Sequence, residues 1–285
     1  MPFLKSCVVQ NGGEVLSNSR IRCCVLVATL GRSDKLLKRA IPSIQCQSVK
    51  PEAVVIVCDG KRFDPEICAK IKNLLPNIPV FFLTNTRAVG VAGAWNSGLL
   101  FLRENINAEY VALLDDDDSW DNNHLYLNLT SAQKNDSNVI VSGLRIVKDG
   151  VPVERDIITS LNESDFLVGN PGWQGSNTFI SVELLFLVGD FREGLASLND
   201  RDLAIRVIRH PQCKISYTGS WSATWYLTTN GNQLSSFRNS NKISGLRSFW
   251  EIYREDMSGT IQRNFFSRAE KLFGVPKQEI TTYDK

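Results

Sequence analysis

The chain has 285 residues and a formal net charge of +2, with 43% hydrophobic and 22% charged residues. These values are typical of a globular protein with one large domain, or a core domain with a smaller appendage. The nearly balanced charge, without a dense Lys/Arg run, argues against nucleic-acid binding. No window reaches the roughly 18 consecutive apolar residues that a membrane-spanning helix needs.

The seven cysteines show no metal-ligand spacing. Cys23, Cys24 and Cys58 lie in apolar runs, where free cysteine behaves as a small hydrophobic residue. The N-terminus carries no signal-peptide pattern, so we expect reduced cysteines and a cytoplasmic protein. Basic residues become more frequent between 238 and 268, and aromatic residues are interleaved with them. This pattern leaves peripheral contact with the inner face of a membrane open, beside a solvated amphipathic helix.

Strands and helices alternate over the first half of the chain. The predicted strands cover 22–28, 53–58, 79–83 and 110–114, and the helices between and after them cover 33–44, 65–75, 90–103 and 122–134. Ser33 is expected to cap the first of these helices, and Pro42 to kink or shorten it. The alternation predicts an α/β fold with a mostly parallel sheet flanked by helices. Ligands of such sheets bind beyond the carboxyl ends of the strands.

The second half is less regular. Strands 139–147 and 151–156 form a predicted hairpin around an Asp-Gly turn. A loop rich in glycine and amide side chains covers 169–177, and a short helix, a strand and amphipathic helices follow it at 200–209, at 213–217 and from Gln233.

Four consecutive aspartates, Asp115–Asp118, follow the apolar run 110–114, and Asp59 follows an earlier strand. Carboxylates this close repel one another, so the cluster is costly unless a cation neutralises it. Mg²⁺ and Mn²⁺ prefer oxygen ligands and often share their coordination with substrate phosphates. The alternative is a solvated acidic turn before the helix that begins near Asn122.

Six segments, in this order, resemble those of the inverting glycosyltransferases of family 2, which have the GT-A fold and use nucleotide-sugar donors. The resemblance covers roughly residues 22–226, and its segments are Val25–Arg32, Leu37–Gln47, Val54–Gly60, Gly90–Gly98, Leu114–Trp120 and Asn199–Arg206. The chain departs from the family pattern at Leu30-Gly31, at Trp95 in place of Arg, and at Asn199 in place of Glu. No Gln-x-x-Arg-Trp segment is present, so we expect a single sugar transfer rather than processive synthesis.

The resemblance implies the roles of individual residues. Asp200 is the expected general base, which takes the proton of the acceptor hydroxyl during inversion. Asp202 is the rival base, or else the partner of Arg206 in an i,i+4 salt bridge. Asp117 is the expected ligand of Mn²⁺ or Mg²⁺, with Asp116 or Asp118 as alternatives. Contacts to the nucleotide-sugar are expected from Thr29, Arg32, Asp59, Gly90, Asn96, Asp115, Asp116, Trp173 and Gln174.

The expected domains are a GT-A domain at 20–230, with a nucleotide-binding half to about 120 and an acceptor half from about 121, and a helical extension at 231–285. The extension selects the acceptor, mediates homodimer formation or covers the sheet edge. The expected activity is that of a hexosyltransferase that uses a nucleotide-sugar, UDP-linked by preference, and a glycan or lipid-linked acceptor, as in polysaccharide biosynthesis. A sugar-nucleotidyltransferase and a catalytically inert binding module are the alternatives.

Overall fold

The computed structural model describes residues 21–60, 62–228 and 237–282. Within these ranges the strands are β1 (Cys23–Thr29), β2 (Ala53–Cys58), β3 (Val80–Thr84), β4 (Tyr110–Asp115), β5 (Ser119–Trp120), β6 (Val139–Lys148), β7 (Val151–Val153), β8 (Thr178–Ser181) and β9 (Ile215–Leu227). They form one sheet in the order β3-β2-β1-β4-β8-β6-β9-β5, with β7 paired to β6.

The described helices pack on both faces of this sheet. They are α1 (Ser33–Lys35), α2 (Ile41–Gln45), α3 (Pro65–Leu74), α4 (Val91–Asn105), α5 (His124–Asn135), α6 (Glu163–Val168), α7 (Val182–Leu187), α8 (Asn199–Arg209), α9 (Ser240–Tyr253), α10 (Gly259–Phe273) and α11 (Lys277–Thr281). None of the helices in the described ranges is long and apolar enough to cross a bilayer.

The first half of the sheet, β3-β2-β1-β4, is entirely parallel, which confirms the predicted α/β fold. Alternate residues of β1 face opposite sides: Leu26 belongs to one apolar cluster and Val25 to another. Both faces are therefore covered, and this explains why the strand reads as an unbroken apolar run.

The second half of the sheet is mixed. β8 pairs antiparallel with both β4 and β6, while β9 runs parallel to β6. The predicted hairpin of β6 and β7 is present, and Asp149 and Gly150 at its turn have φ values of 50° and 83°. Positive φ at both positions is the geometry that Asp-Gly favours. The strands β5 and β8 were not predicted, because two and four residues are too short to show a periodic pattern.

The predicted N-cap at Ser33 is wrong. Ser33 is already helical, and Arg32 occupies the N-cap position without a capping side chain. A π-helical turn, Leu36–Ala40, separates α1 from α2. Pro42 lies in the first turn of α2, where its missing N–H is tolerated, so the irregularity expected from this proline lies just before it.

The C-terminal helices belong to the same core as the sheet. Leu246, Phe249 and Phe265 join the apolar cluster that also contains Leu26 of β1. The boundary expected near residue 230 thus does not separate two hydrophobic cores. The expected start of the helical segment at Gln233 lies outside the described residues; α9 begins at Ser240.

The buried side chain of His124, at the start of α5, allows a test of the core that does not depend on function. The ring is completely buried, stacks on Trp120 with centroids 4.4 Å apart, and hydrogen-bonds Ser222 Oγ through Nδ1 at 2.9 Å. Burial lowers the pKa of His124 to about 3, so the unfolded chain binds the proton more readily than the native protein does. Stability is therefore greatest above pH 6.5 and falls as the pH drops toward 3.

We expect a loss of about 2 kcal/mol from this group between pH 6.5 and pH 5. Urea unfolding at pH 7.5, 6 and 5 should show that the stability difference between the wild type and His124→Phe, which cannot titrate, changes by this amount. An unchanged difference across these pH values would contradict the buried neutral histidine.

Candidate active site at the strand ends

The carboxyl ends of β1, β2 and β4 meet the N-terminus of α4 at one edge of the sheet. Asp59, just after β2, accepts hydrogen bonds from Asn85 Nδ2 and from the N–H of Gly90, both at 2.7 Å. Gly90 precedes α4 with φ of 120°, a conformation that favours glycine. Asp59 therefore ties the end of β2 to the start of α4 and remains half-buried beside the cleft.

Two of the four consecutive aspartates, Asp116 and Asp118, are buried and form hydrogen bonds inside the protein. Asp116 is fully buried and accepts hydrogen bonds from Thr29 Oγ1 and from the guanidinium of Arg32. Asp118 accepts from Ser176 Oγ at 2.6 Å and from the N–H of Tyr226 at 3.2 Å. Burial raises the pKa of both carboxyl groups. Both side chains thus hold the loop in place, whereas Asp116 was expected to touch the nucleotide.

The other two aspartates of the cluster, Asp115 and Asp117, are only partly buried and lie at the cleft. Asp117 Oδ2 accepts from Arg32 Nη1 at 2.9 Å and from Lys35 Nζ at 3.1 Å, and 14% of its side chain is exposed. The pKa of Asp115 is raised to about 7, mainly by burial and also by the charges of Asp117, Asp116 and Asp200, against the lowering effect of Arg32. The charges of both Asp117 and Asp200 therefore act on the carboxylate of Asp115.

The oxygen donors at this edge fit a divalent cation that is completed by substrate. Among the described residues, no group of three or more His, Cys, Asp or Glu side chains is arranged to hold a metal ion. Mg²⁺ is commonly bound by one or two carboxylates together with substrate phosphates, and Asp115 and Asp117 supply such a set. Burial is the main cause of the raised pKa of Asp115 and repulsion by the neighbouring carboxylates adds to it; a bound cation would offset both effects.

Asp200 lies at the start of α8, on the other side of the cleft. Its Oδ2 accepts a hydrogen bond from Asn170 Nδ2 at 2.5 Å, and Oδ1 accepts from the N–H of Arg201 at 2.9 Å. The half-buried carboxylate lines a small cavity together with Trp95, Leu113, Trp173, Gly175, Thr178, Phe191 and Leu203. Asp200 thus lines a partly apolar pocket, and no salt bridge to its oxygens is formed within the described part of the chain.

Asp202 has different surroundings, although it is two residues away on the same helix. It is fully buried, and Oδ1 accepts from Arg192 Nε and Tyr253 Oη, both at 2.8 Å. Its Oδ2 accepts from Arg206 Nε and Nη2 at 2.9 and 2.7 Å. The salt bridge expected between Asp202 and Arg206 is therefore present, and every oxygen of this carboxylate is occupied inside the protein.

Several residues expected at the donor are buried beneath the cleft. Asn96 donates to the carbonyl oxygen of Phe191 and to Glu193 Oε1, both at 2.8 Å. Trp173 is 2% exposed, and its indole Nε1 has no hydrogen-bond partner among the described residues. Gln174 caps a 3₁₀ turn, Gly175–Asn177, by reciprocal hydrogen bonds with Asn177. The structure thus places Trp173 and Asp200 in the lining of the same cavity. The side chains of Asn96 and Gln174 form hydrogen bonds within the protein.

Four residues that were not among the expected catalytic, nucleotide-sugar or metal contacts take part in the site. Asn170 orients Asp200, Ser176 hydrogen-bonds Asp118, Glu193 accepts from Arg87 and Asn96, and Tyr253 donates to Asp202. Asn170 and Ser176 belong to the loop singled out by its glycine and amide content. Glu193 and Tyr253 carry no local signal, because each acts on a residue 51 to 106 positions away.

A search of curated protein sequences found no significant match. Among solved structures, the chain is similar to S. aureus TarS 1-349 in complex with UDP-GlcNAc (18% identity, TM-score 0.63, covering 92% of this chain and 76% of that one). It is also similar to the mannosyltransferase PcManGT from Pyrobaculum calidifontis in complex with GDP-Man and Mn²⁺ (16% identity, TM-score 0.58, covering 90% and 70%). At these identities the likeness shows a shared fold, that of GT-A glycosyltransferases.

The model of one protein family, described as glycosyl transferase family 2, matches residues 24–202. The match spans more than half of the chain and includes β1, Asp59, the aspartate cluster and Asp200. The chain therefore belongs to glycosyl transferase family 2.

Proposed function

We propose that this protein is a metal-dependent, inverting glycosyltransferase that moves one sugar from a UDP-sugar to a glycan or lipid-linked acceptor. The observation that carries the proposal is the convergence of Asp115, Asp117 and Asp200 at one cleft. Asp115 and Asp117 lie two residues apart where β4 ends, and a Cβ atom on Gly175, which lines the cavity of Asp200, would lie 3.3 Å from Asp115 Oδ2. Two carboxylates for a cation and a third for a proton match the needs of direct displacement.

In this reaction the acceptor hydroxyl attacks the anomeric carbon of the donor sugar and passes its proton to Asp200. The new glycosidic bond forms as the bond from the anomeric carbon to the phosphate oxygen breaks, and the electron pair leaves with the nucleoside diphosphate. Asn170 Nδ2 holds the Asp200 carboxylate in place for the acceptor. One displacement at one carbon inverts its configuration.

Asp117, assisted by Asp115, would hold the divalent cation, which supplies neutralisation of the leaving diphosphate. Arg32 and Lys35 form salt bridges with Asp117, so their positive charges also face the proposed position of the diphosphate. Asp59 remains the proposed contact of the nucleoside. Thr29, Gly90, Asn96 and Asp116 support the cleft from beneath, while Trp173 and Gln174 shape the wall beside the sugar.

The direct test is donor binding and turnover across a panel of nucleotide-sugars with Mn²⁺, Mg²⁺ or chelator. We expect one donor to bind in a metal-dependent way and to release its nucleoside diphosphate. Asp117→Asn should weaken metal-dependent donor binding by roughly tenfold or more, because a charged ligand of the cation is lost. Asp34→Asn is the matched control, since Asp34 is exposed on α1 and pairs with Lys38.

The outcomes separate the alternatives. Metal-independent binding, or an Asp117→Asn variant that behaves as the wild type, would contradict the assigned cation site. Donor binding without any turnover would indicate an inert binding module. Release of pyrophosphate from a nucleoside triphosphate and a sugar phosphate would indicate a nucleotidyltransferase.

A further inference from the structure

Four cationic side chains from four different elements gather around the loop 169–172 beside Asp200. One follows β7 and the others lie on α8, α9 and α10; this basic cluster consists of Arg155, Arg201, Lys242 and Arg268. No role in the reaction described above involves them. Arg155 and Arg268 lie against this loop, Arg201 contacts the end of the helix before it, and the charge of Asp200 acts on Arg201 and Lys242.

Two of these side chains lie against the backbone of the loop. A Cβ atom on Gly169 would lie 2.5 Å from Arg268 Nε, and one on Gly172 would lie 2.9 Å from Arg155 Nη2. Arg155 also donates a hydrogen bond to the carbonyl oxygen of Pro171. Glycine at both positions therefore lets the guanidinium groups approach the backbone on either side of Asn170, the residue that donates to Asp200.

The other two cations are buried behind the loop. Arg201 donates through Nε and Nη2 to the carbonyl oxygens of Phe166 and Leu167 at 2.7 and 3.0 Å, and its guanidinium lies 4.2 Å from the ring centroid of Phe249. Lys242 is 8% exposed, and its Nζ lies 5.0 Å from the ring centroid of Phe273. These contacts orient the cations but bring them no negative charge.

Apart from the nearby carboxylate of Asp200, the basic cluster has little counter-charge among the described residues. Among the described residues none of its members forms a salt bridge, and the segment 229–236 between β9 and α9 contains no Asp or Glu. The pKa of Arg201 is lowered to about 9 and that of Lys242 to about 8, mainly by burial and in part by the charge of Arg268, against the opposing charge of Asp200. Buried charges of one sign are costly unless an anion joins them.

The cluster is distinct from the cations at the donor. Arg32 and Lys35 pair with Asp116 and Asp117 at the ends of β1 and β4. The charge felt by Arg201 and Lys242 is instead that of Asp200. An anion bound by the cluster would therefore lie near Asp200, where the acceptor is proposed to react.

We propose that the basic cluster binds a phosphate group of the acceptor substrate, and so places the adjoining hydroxyl at Asp200. Arginine forks that flank a glycine loop suit phosphate oxygens, which accept charge-assisted hydrogen bonds. Arg268 reaches solvent and Arg155 is half-exposed, so an incoming phosphate has access to both. The inference rests on the proposed function in one respect, the assignment of Asp200 as the base.

The test uses the whole protein without donor or metal, so that it does not depend on turnover. Titration calorimetry with glycerol 1-phosphate at constant ionic strength should show saturable binding. Arg155→Gln and Arg268→Gln should each weaken it by roughly tenfold or more, since each removes a charge-assisted contact. The matched control is Arg263→Gln, an exposed arginine on the same helix as Arg268, which should bind like the wild type.

Thermal melting of each variant checks that it is folded. The two target arginines lie in different parts of the fold, so if one variant misfolds, the other still tests the proposal. Absence of binding in the wild type, or equal weakening in Arg263→Gln, would overturn the proposal. So would binding to phosphatidylglycerol vesicles without binding to glycerol 1-phosphate, because that result would indicate a lipid surface. If phosphate binding is lost as expected but the donor panel shows no transferase activity, the proposed function fails and the anion site stands.

Discussion

Replacing Asp200 by asparagine is expected to lower kcat for sugar transfer by roughly 10³-fold, within the range that a general base contributes. The amide keeps the shape of the side chain but cannot take the proton of the acceptor hydroxyl. Donor affinity should be unchanged, because Asp200 lies on α8, while Asp117 and Arg32 follow β4 and β1 and Lys35 is the last residue of α1.

The rate is measured as release of nucleoside diphosphate, either during transfer to an acceptor or, in the absence of acceptor, during hydrolysis of the donor. A separate titration measures binding of the donor. Asp165→Asn is a suitable control, since it removes a carboxylate from the exposed side of α6, which packs against α8. Wild-type turnover in Asp200→Asn would exclude Asp200 as the base. Loss of donor binding in that variant would indicate a disturbed cleft rather than a lost proton acceptor.

Asp202→Asn is expected to destabilise the protein by about 3 kcal/mol, the cost of removing one partner from a buried ion pair. Arg192 and Arg206 would lose their shared counter-charge, and the hydroxyl of Tyr253 would lose a carboxylate acceptor. Tyr253→Phe removes only one neutral donor and should cost about 1 kcal/mol. Urea unfolding monitored by tryptophan fluorescence would give both values.

The same variant decides between the two candidate bases. We expect the folded fraction of Asp202→Asn to keep a kcat close to that of the wild type, because its carboxylate is enclosed by the two arginines and Tyr253. A variant that is as stable as the wild type but inactive would move the role of base from Asp200 to Asp202. Measuring kcat per folded molecule at a temperature below both unfolding transitions separates these outcomes.

Much of the fold follows from local patterns in the sequence. Fully apolar runs such as 23–28 and 53–58 predicted strands buried on both faces, and β1 and β2 occupy nearly these residues. The helices α3, α4, α5 and α8 begin and end within two residues of the predicted bounds. The position of Asp59 and the aspartate cluster at strand ends followed from the same patterns, because carboxyl ends of parallel strands share one edge.

The sequence by itself determined the α/β class, the family and the edge of the sheet at which chemistry is expected. Only the tertiary structure decided which of the four aspartates faces the cleft, because Asp116 is enclosed by Thr29 and Arg32, and Asp118 by Ser176 and Tyr226. These partners are 58 to 108 positions away in the chain, so no local pattern contains them. The same holds for Asp200 and Asp202, which the sequence presents as equivalent acids on one helix. In the structure Asp200 lines a cavity and accepts a hydrogen bond from Asn170, whereas Asp202 is enclosed in an ion-pair network together with Tyr253. Both partners come from distant segments of the chain.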